Sequence, residues 1–174
     1  MKKISTVLLL LLLYICEAGA IIPPKPDKRV VKEVTKLFSE ESHLQEIPIH
    51  SEAQAVNGLM REGDQPFAIE NSEGNLGYVF STSAKGRYDY FDYSIIYSKD
   101  LSVMAVLVTT YRSSHGAGIC SKGWLKQFKG YQGEEISLGK EIDSISGATL
   151  SATSMVEDMK RCYFLMEEIT GRLN

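Results

Sequence analysis

Asp143-Ser144-Ile145-Ser146-Gly147-Ala148-Thr149 sets a carboxylate, three hydroxyls and a narrow small-residue turn immediately before a stretch with helical apolar spacing. The unpaired N–H groups and positive dipole end of a helix start favour a nearby anion by about 0.3–1 kcal/mol, so the segment suits a phosphate group. Thr149, at the end of the turn, is the candidate hydroxyl to carry it. A threonine hydroxyl is a weak nucleophile at neutral pH, so esterifying it takes an enzyme that presents an activated phosphate to an exposed acceptor. Gly147 and Ala148 keep the turn narrow, and the hydroxyls of Ser146 and Ser151 can donate hydrogen bonds to the ester oxygens. The same residues also read as an ordinary helix start. Ser, Thr and Asp are preferred N-caps, and Ser154-x-x-Glu157 has the form of a capping box.

No second constellation competes with this one. There is no Cys-x-x-Cys, and His43, His50 and His115 are too scattered to propose a metal site. No nucleophile triad or general-base pair is legible, so no catalytic residue is assigned. The formal net charge of −3 gives no reason to expect a nucleic-acid partner. Met1-Lys2-Lys3, an apolar run from Ile4 to Ile15 and Ala18-Gly19-Ala20 follow the three zones of a secretory signal peptide, with cleavage expected after Ala20. The apolar run is short of the ~20 residues that span a bilayer. Leu13-Tyr14-Ile15-Cys16 also has the outline of a lipoprotein box, although bulky Ile15 stands where a small residue is usual. An exported chain in the periplasm or cell envelope, in the second case membrane-associated, is the expectation. Cys120 and Cys162 would then be candidates for one disulfide, the alternative being that Cys162 is a buried thiol on the apolar face of the last helix.

The elements that position Thr149 follow from periodicity. Residues 21–174 are enough for one domain. Its N-terminal part, 21–64, opens with Val30, Val31, Val34, Leu37 and Phe38 at helical spacing, a helix starting near Asp27, and continues with a short strand from Leu44 to Ile49. Ser51 to Asp64 shows no clear period. In the core, 65–174, the spacing predicts a hairpin of Phe67–Glu70 and Leu76–Thr82 around Asn71–Asn75, then strands Tyr90–Tyr97 and Val103–Tyr111. Short connections between successive strands imply an antiparallel meander. A glycine loop at Gly116 and Gly118 and a short amphipathic piece from Trp124 to Phe128 come next. The final helix carries Met155, Val156, Met159, Cys162, Tyr163 and Met166 on one face and stops at Gly171. The expected class is α+β, an antiparallel β-meander sheet packed against an N-terminal helix and a long C-terminal helix.

Asp143-x-x-Ser146-Gly147-Ala148-Thr149 resembles the acceptor motif of the FMN-binding domain family, found in the C subunit of the sodium-translocating NADH:quinone oxidoreductase and the G subunit of Rnf complexes. Gly77-Tyr78, Gly116-x-Gly118 and Trp124-x-x-Gln127-Phe128-x-Gly130 precede it in the order typical of that family. The resemblance implies that Thr149 carries FMN through a phosphoester, attached by a magnesium-dependent flavin transferase with FAD as donor. It implies that Asp143, Ser146, Gly147 and Ala148 are read by the transferase, and that Gly116 and Gly118 lie beside the flavin. The family often has Glu-Thr before the glycine loop, where this chain has Ser113-Ser114; a hydroxyl survives at Ser114 and the acid is missing. Trp124 and Phe128 either wall the isoalloxazine ring or anchor a short helix to the core. Arg112, Lys122 or Lys126 could offset the charge of reduced flavin, with none of them singled out, since surface lysines are ordinarily just solvated. The function implied is an extracytoplasmic electron-transfer module serving redox partner proteins of the membrane or periplasm. Two other readings stand beside it: a secreted binding or scaffold domain without flavin, and a subunit of a larger flavin-dependent reductase.

Overall fold

Asp27 starts the first helix, accepting a 2.7 Å hydrogen bond from the Arg29 N–H on its carboxylate, and α1 (Lys28–Leu37) follows. In this computed structural model residues 26–48 and 58–171 are described; the export segment, Cys16 and Ile49 lie outside them. Five strands come next, β1 (His43–Glu46), β2 (Gln65–Asn71), β3 (Gly74–Lys85), β4 (Tyr90–Ser98) and β5 (Val103–Tyr111). Each pairs antiparallel with its neighbour in sequence, so the sheet order is β1-β2-β3-β4-β5. The meander expected from the strand spacing is therefore the architecture, and the class is α+β.

Side-chain alternation on the central strands builds two cores. Tyr78, Phe80 and Ala84 of β3 with Phe91, Tyr93, Ile95 and Tyr97 of β4 point to one face. There they meet Met155, Val156, Met159, Cys162 and Met166 of the last helix, α3 (Thr149–Gly171). Val79 and Ile96 point to the opposite face, where they join Phe67 and Ile69 beneath Val30 and Val34 of α1. The methionine stripe is thus core, with Met155, Met159 and Met166 fully buried. Both Ser154 and Glu157 sit inside α3, because the helix already begins at Thr149. The capping-box expectation is corrected accordingly: tertiary packing of Ala148 and Ala152 extends the helix N-terminal to that signal.

The connections carry the chemistry of their turns. Asn71 accepts from the Glu73 N–H at 2.9 Å and Gly74 takes φ 122°, closing the β2–β3 hairpin. In the β3–β4 turn the Gly86 N–H donates to the Asp89 carbonyl at 2.8 Å. After β5 the Tyr111 hydroxyl donates to the His115 carbonyl at 2.7 Å, folding the Arg112–Gly116 loop back toward α3. A 3-10 turn (Ala117–Cys120) and α2 (Lys122–Leu125) then lead through a second 3-10 turn (Lys126–Phe128) to an irregular stretch before α3. Among the described residues no helix is long and apolar enough to cross a membrane.

Candidate functional site

Gly147 has φ 75°, a left-handed conformation that a side chain resists, and it turns the chain into α3. Ala148 behind it is buried, its N–H donating to Ile145 O at 3.1 Å and its carbonyl accepting from Ala152 N–H at 2.9 Å. Thr149 is therefore the first residue of α3, and its side chain is exposed. The next N–H groups of the turn lack intrahelical acceptors by geometry.

The two glycine-bearing segments, distant in sequence, meet here. A cleft of about 130 Å³ is lined by Arg87, Gly116, Gly147, Ala148, Thr149, Leu150 and Ser151. Close approach explains why both loop glycines lack a side chain. A Cβ on Gly116 would stand 2.5 Å from the Tyr111 hydroxyl and 2.9 Å from Ser151 Oγ; one on Gly118 would stand 2.7 Å from Ile145 Cγ2. Gly118 thus packs the loop against the Ile145-Ala148 turn, while Gly116 reaches the cleft itself.

Ser151 lines the cleft but is only 1% exposed, and its hydroxyl shares a 3.0 Å hydrogen bond with the Tyr111 hydroxyl. Ser114 is exposed and bonded to His115 Nδ1 at 3.0 Å; it does not line the cleft. Asp143 and Ser146 are exposed, and their side chains make no hydrogen bond or ion pair among the described residues. The backbone of Asp143 is gripped instead. Trp124 Nε1–H donates to its carbonyl at 2.8 Å, and its N–H donates to Gln127 Oε1 at 2.9 Å. The Trp124-x-x-Gln127 spacing, one turn apart, therefore holds the segment leading into the turn. Trp124 is buried, packed edge-on against buried Phe128 at 5.3 Å, and neither ring lines the cleft. The anchoring alternative describes their placement.

Cys120 and Cys162 are both free, the first exposed and the second buried in the sheet-facing core. Burial, together with the neighbouring Asp158 carboxylate, pushes the Cys162 thiol well above its usual range. Among the described residues no group of three acids, histidines or cysteines is arranged to hold a metal.

Arg112 is committed elsewhere, paired with Asp92 at 2.5 Å. Neither Lys122 nor Lys126 lines the cleft, and the cation that does, Arg87, was not singled out by the sequence. An isolated arginine in a hairpin turn has no spacing signal, and only the fold brings it to Thr149. Tyr88 beside it is 65% exposed and Leu150 is 59% exposed, so apolar surface borders the cleft. A larger cleft of about 750 Å³ is lined by Lys85, Asp92 and Glu157 among others. It is lined by charges of both signs and lacks Thr149. No protein-family model matches the chain, and no curated protein matches it.

Proposed function

We propose that the chain is an extracytoplasmic flavoprotein, with FMN joined by a phosphoester to Thr149 and serving electron transfer between redox partner proteins. The observation that carries this reading is the shared cleft. Thr149, an exposed hydroxyl in the first turn of a long helix, faces the same small space as Gly116, so the two segments that resemble the family's motifs are neighbours. A volume of about 130 Å³ is below the ~300–1,000 Å³ of ordinary small-molecule pockets. The cleft is of a size to admit a phosphate group, and the exposed Leu150 side chain borders it. The residues present are thus compatible with a tethered FMN.

The bound flavin would supply the redox chemistry; the protein's part is attachment and orientation. Unpaired N–H groups at the start of α3 offset the ester's negative charge. Gly116 lets the loop backbone approach without a clashing side chain, and Ser151 holds that loop in place through Tyr111. Asp143 and Ser146, exposed and uncommitted, are available to be read by a magnesium-dependent flavin transferase using FAD as donor. Covalent attachment suits a compartment where a lost cofactor is not readily replaced.

The chain co-produced with a flavin transferase and exported should gain the mass of one FMN less water, and its fluorescence should stay with the polypeptide through denaturing electrophoresis. Thr149→Ala should abolish both signals completely. A colourless wild-type protein, or flavin retained by Thr149→Ala, defeats the proposal.

A further inference from the structure

Every other described arginine has a carboxylate partner: Arg29 with Asp27, Arg61 with Asp158, Arg112 with Asp92, and Arg161 with Asp64 and Asp158. Arg87 makes no ion pair or hydrogen bond among the described residues, although it lines the cleft at Thr149. What it does contact is Tyr88, whose ring centroid lies 5.1 Å from the guanidinium carbon. Tyr88 meets His115 edge-on at 5.7 Å, and His115 belongs to the loop that ends at Gly116. The turn beneath them lies close against the start of α3. A Cβ on buried Gly86 would lie 2.9 Å from Asp89 O and 3.2 Å from Ser151 Oγ, so this backbone and the first turn of the helix are in close register. An uncommitted guanidinium is thereby held at the mouth of a cleft whose other walls are helix start and glycine backbone.

We propose that Arg87 binds the phosphoester oxygens at Thr149, with Tyr88 as the positioning residue that keeps the guanidinium over the cleft. This rests on the reading that Thr149 carries FMN. A phosphodiester keeps one negative charge with two unesterified oxygens, and the planar fork of an arginine donates to two such oxygens at once. Its contact with the Tyr88 ring restricts the guanidinium and lowers the entropy lost on binding. A lysine at 87 would supply charge without the fork. The β3–β4 turn therefore completes a phosphate site of which the motif at 143–149 supplies only the acceptor and the helix start.

The test is phosphorus NMR on exported, flavinylated protein, because the resonance position is independent of the fraction loaded. Wild type should resonate away from the same sample unfolded in urea. Arg87→Gln should move the resonance toward the unfolded position, Arg87→Lys should restore part of the displacement, and Tyr88→Leu should make it sensitive to added salt. Arg87 is exposed, so thermal melts of the variants should match wild type. A resonance unchanged by Arg87→Gln in flavinylated protein overturns the assignment of Arg87 alone. A wild-type chain that never acquires flavin defeats the reading at Thr149, and the role of Arg87 falls with it.

Discussion

Asp92 of β4 and Arg112, the residue after β5, form a bidentate pair, with contacts of 3.0 and 2.5 Å. The Arg112 hydrogen bonds hold the Asp92 carboxyl below its ordinary value of 3.8, against the opposing effect of partial burial. A carboxyl lowered by folding stabilises above its unfolded pKa, and that contribution disappears as pH falls through the folded value. Wild type should therefore exceed Asp92→Asn by up to about 1 kcal/mol at neutral pH, the two converging below pH 3.8. Thermal melts across pH measure the gap, and one that persists at the acid limit would contradict the pairing. The same pair shows what residue types alone leave ambiguous. Arg112 is one of three cations the sequence offers without singling any out, and only the strand register reveals that Asp92 already holds it. The place of Thr149 at the entry to the last helix, by contrast, was legible, because small residues and a hydroxyl before an apolar stripe are a local pattern.

Gly77 opens the part of β3 paired with β4 and has ordinary strand geometry, so its requirement for glycine comes from packing. A Cβ there would stand 2.3 Å from the Tyr97 carbonyl oxygen on β4 and 3.1 Å from the Phe38 ring after α1. Gly77→Ala should thus destabilise by about 1–3 kcal/mol or more, since backbone must move to admit the methyl group. Urea unfolding would measure this; wild-type stability would show that the strands part without cost. Elements with their own periodicity were readable from the chain: α1 with its Asp27 cap, the hairpin at Asn71–Gly74, the strands from Tyr90 and Val103, and the methionine face of α3. The start of α3 was less so. Ser154-x-x-Glu157 has the local form of a cap, yet the small residues Ala148 and Ala152 pack into the core and draw the helix back to Thr149. Similarly, Trp124 and Gln127 read as an amphipathic turn, but their bonds to the Asp143 backbone span a loop that no local pattern reports.

Across the whole molecule, one buried ionic group joins parts that the sheet alone does not. Arg161 of α3 donates to Asp158 at 2.6 Å, to Asp64 at 2.7 Å, to the Leu59 carbonyl at 2.6 Å and to Thr82 of β3 at 3.0 Å. Tyr93 of β4 completes it, donating to Asp158 at 2.8 Å. Burial alone would lower the Arg161 pKa, but the two carboxylates raise it well above the ordinary value. Arg161→Met leaves Asp64 and Asp158 buried with a lost partner and should cost about 3–5 kcal/mol in denaturant unfolding. A loss under 1 kcal/mol would show that Arg61 and solvent replace it. This network explains why residues 58–64 gave no helical or strand period: they are irregular chain bonded to α3 and β3, and their order comes from partners far along the sequence.

That clamp has a kinetic consequence. The meander joins neighbours in sequence, whereas the Arg61–Asp158 and Arg161–Asp64 bonds close a separation of 97 positions. Contacts of long separation carry the larger loop-closure cost and are expected to form after the hairpins. Arg161→Met should then leave the refolding limb of a chevron nearly untouched and steepen the loss on the unfolding side, so the docked lifetime of α3 shortens. Since the first turn of that helix holds Thr149, the time Thr149 spends docked beside Gly116 is set in the helix's far half, by a side chain that never touches it.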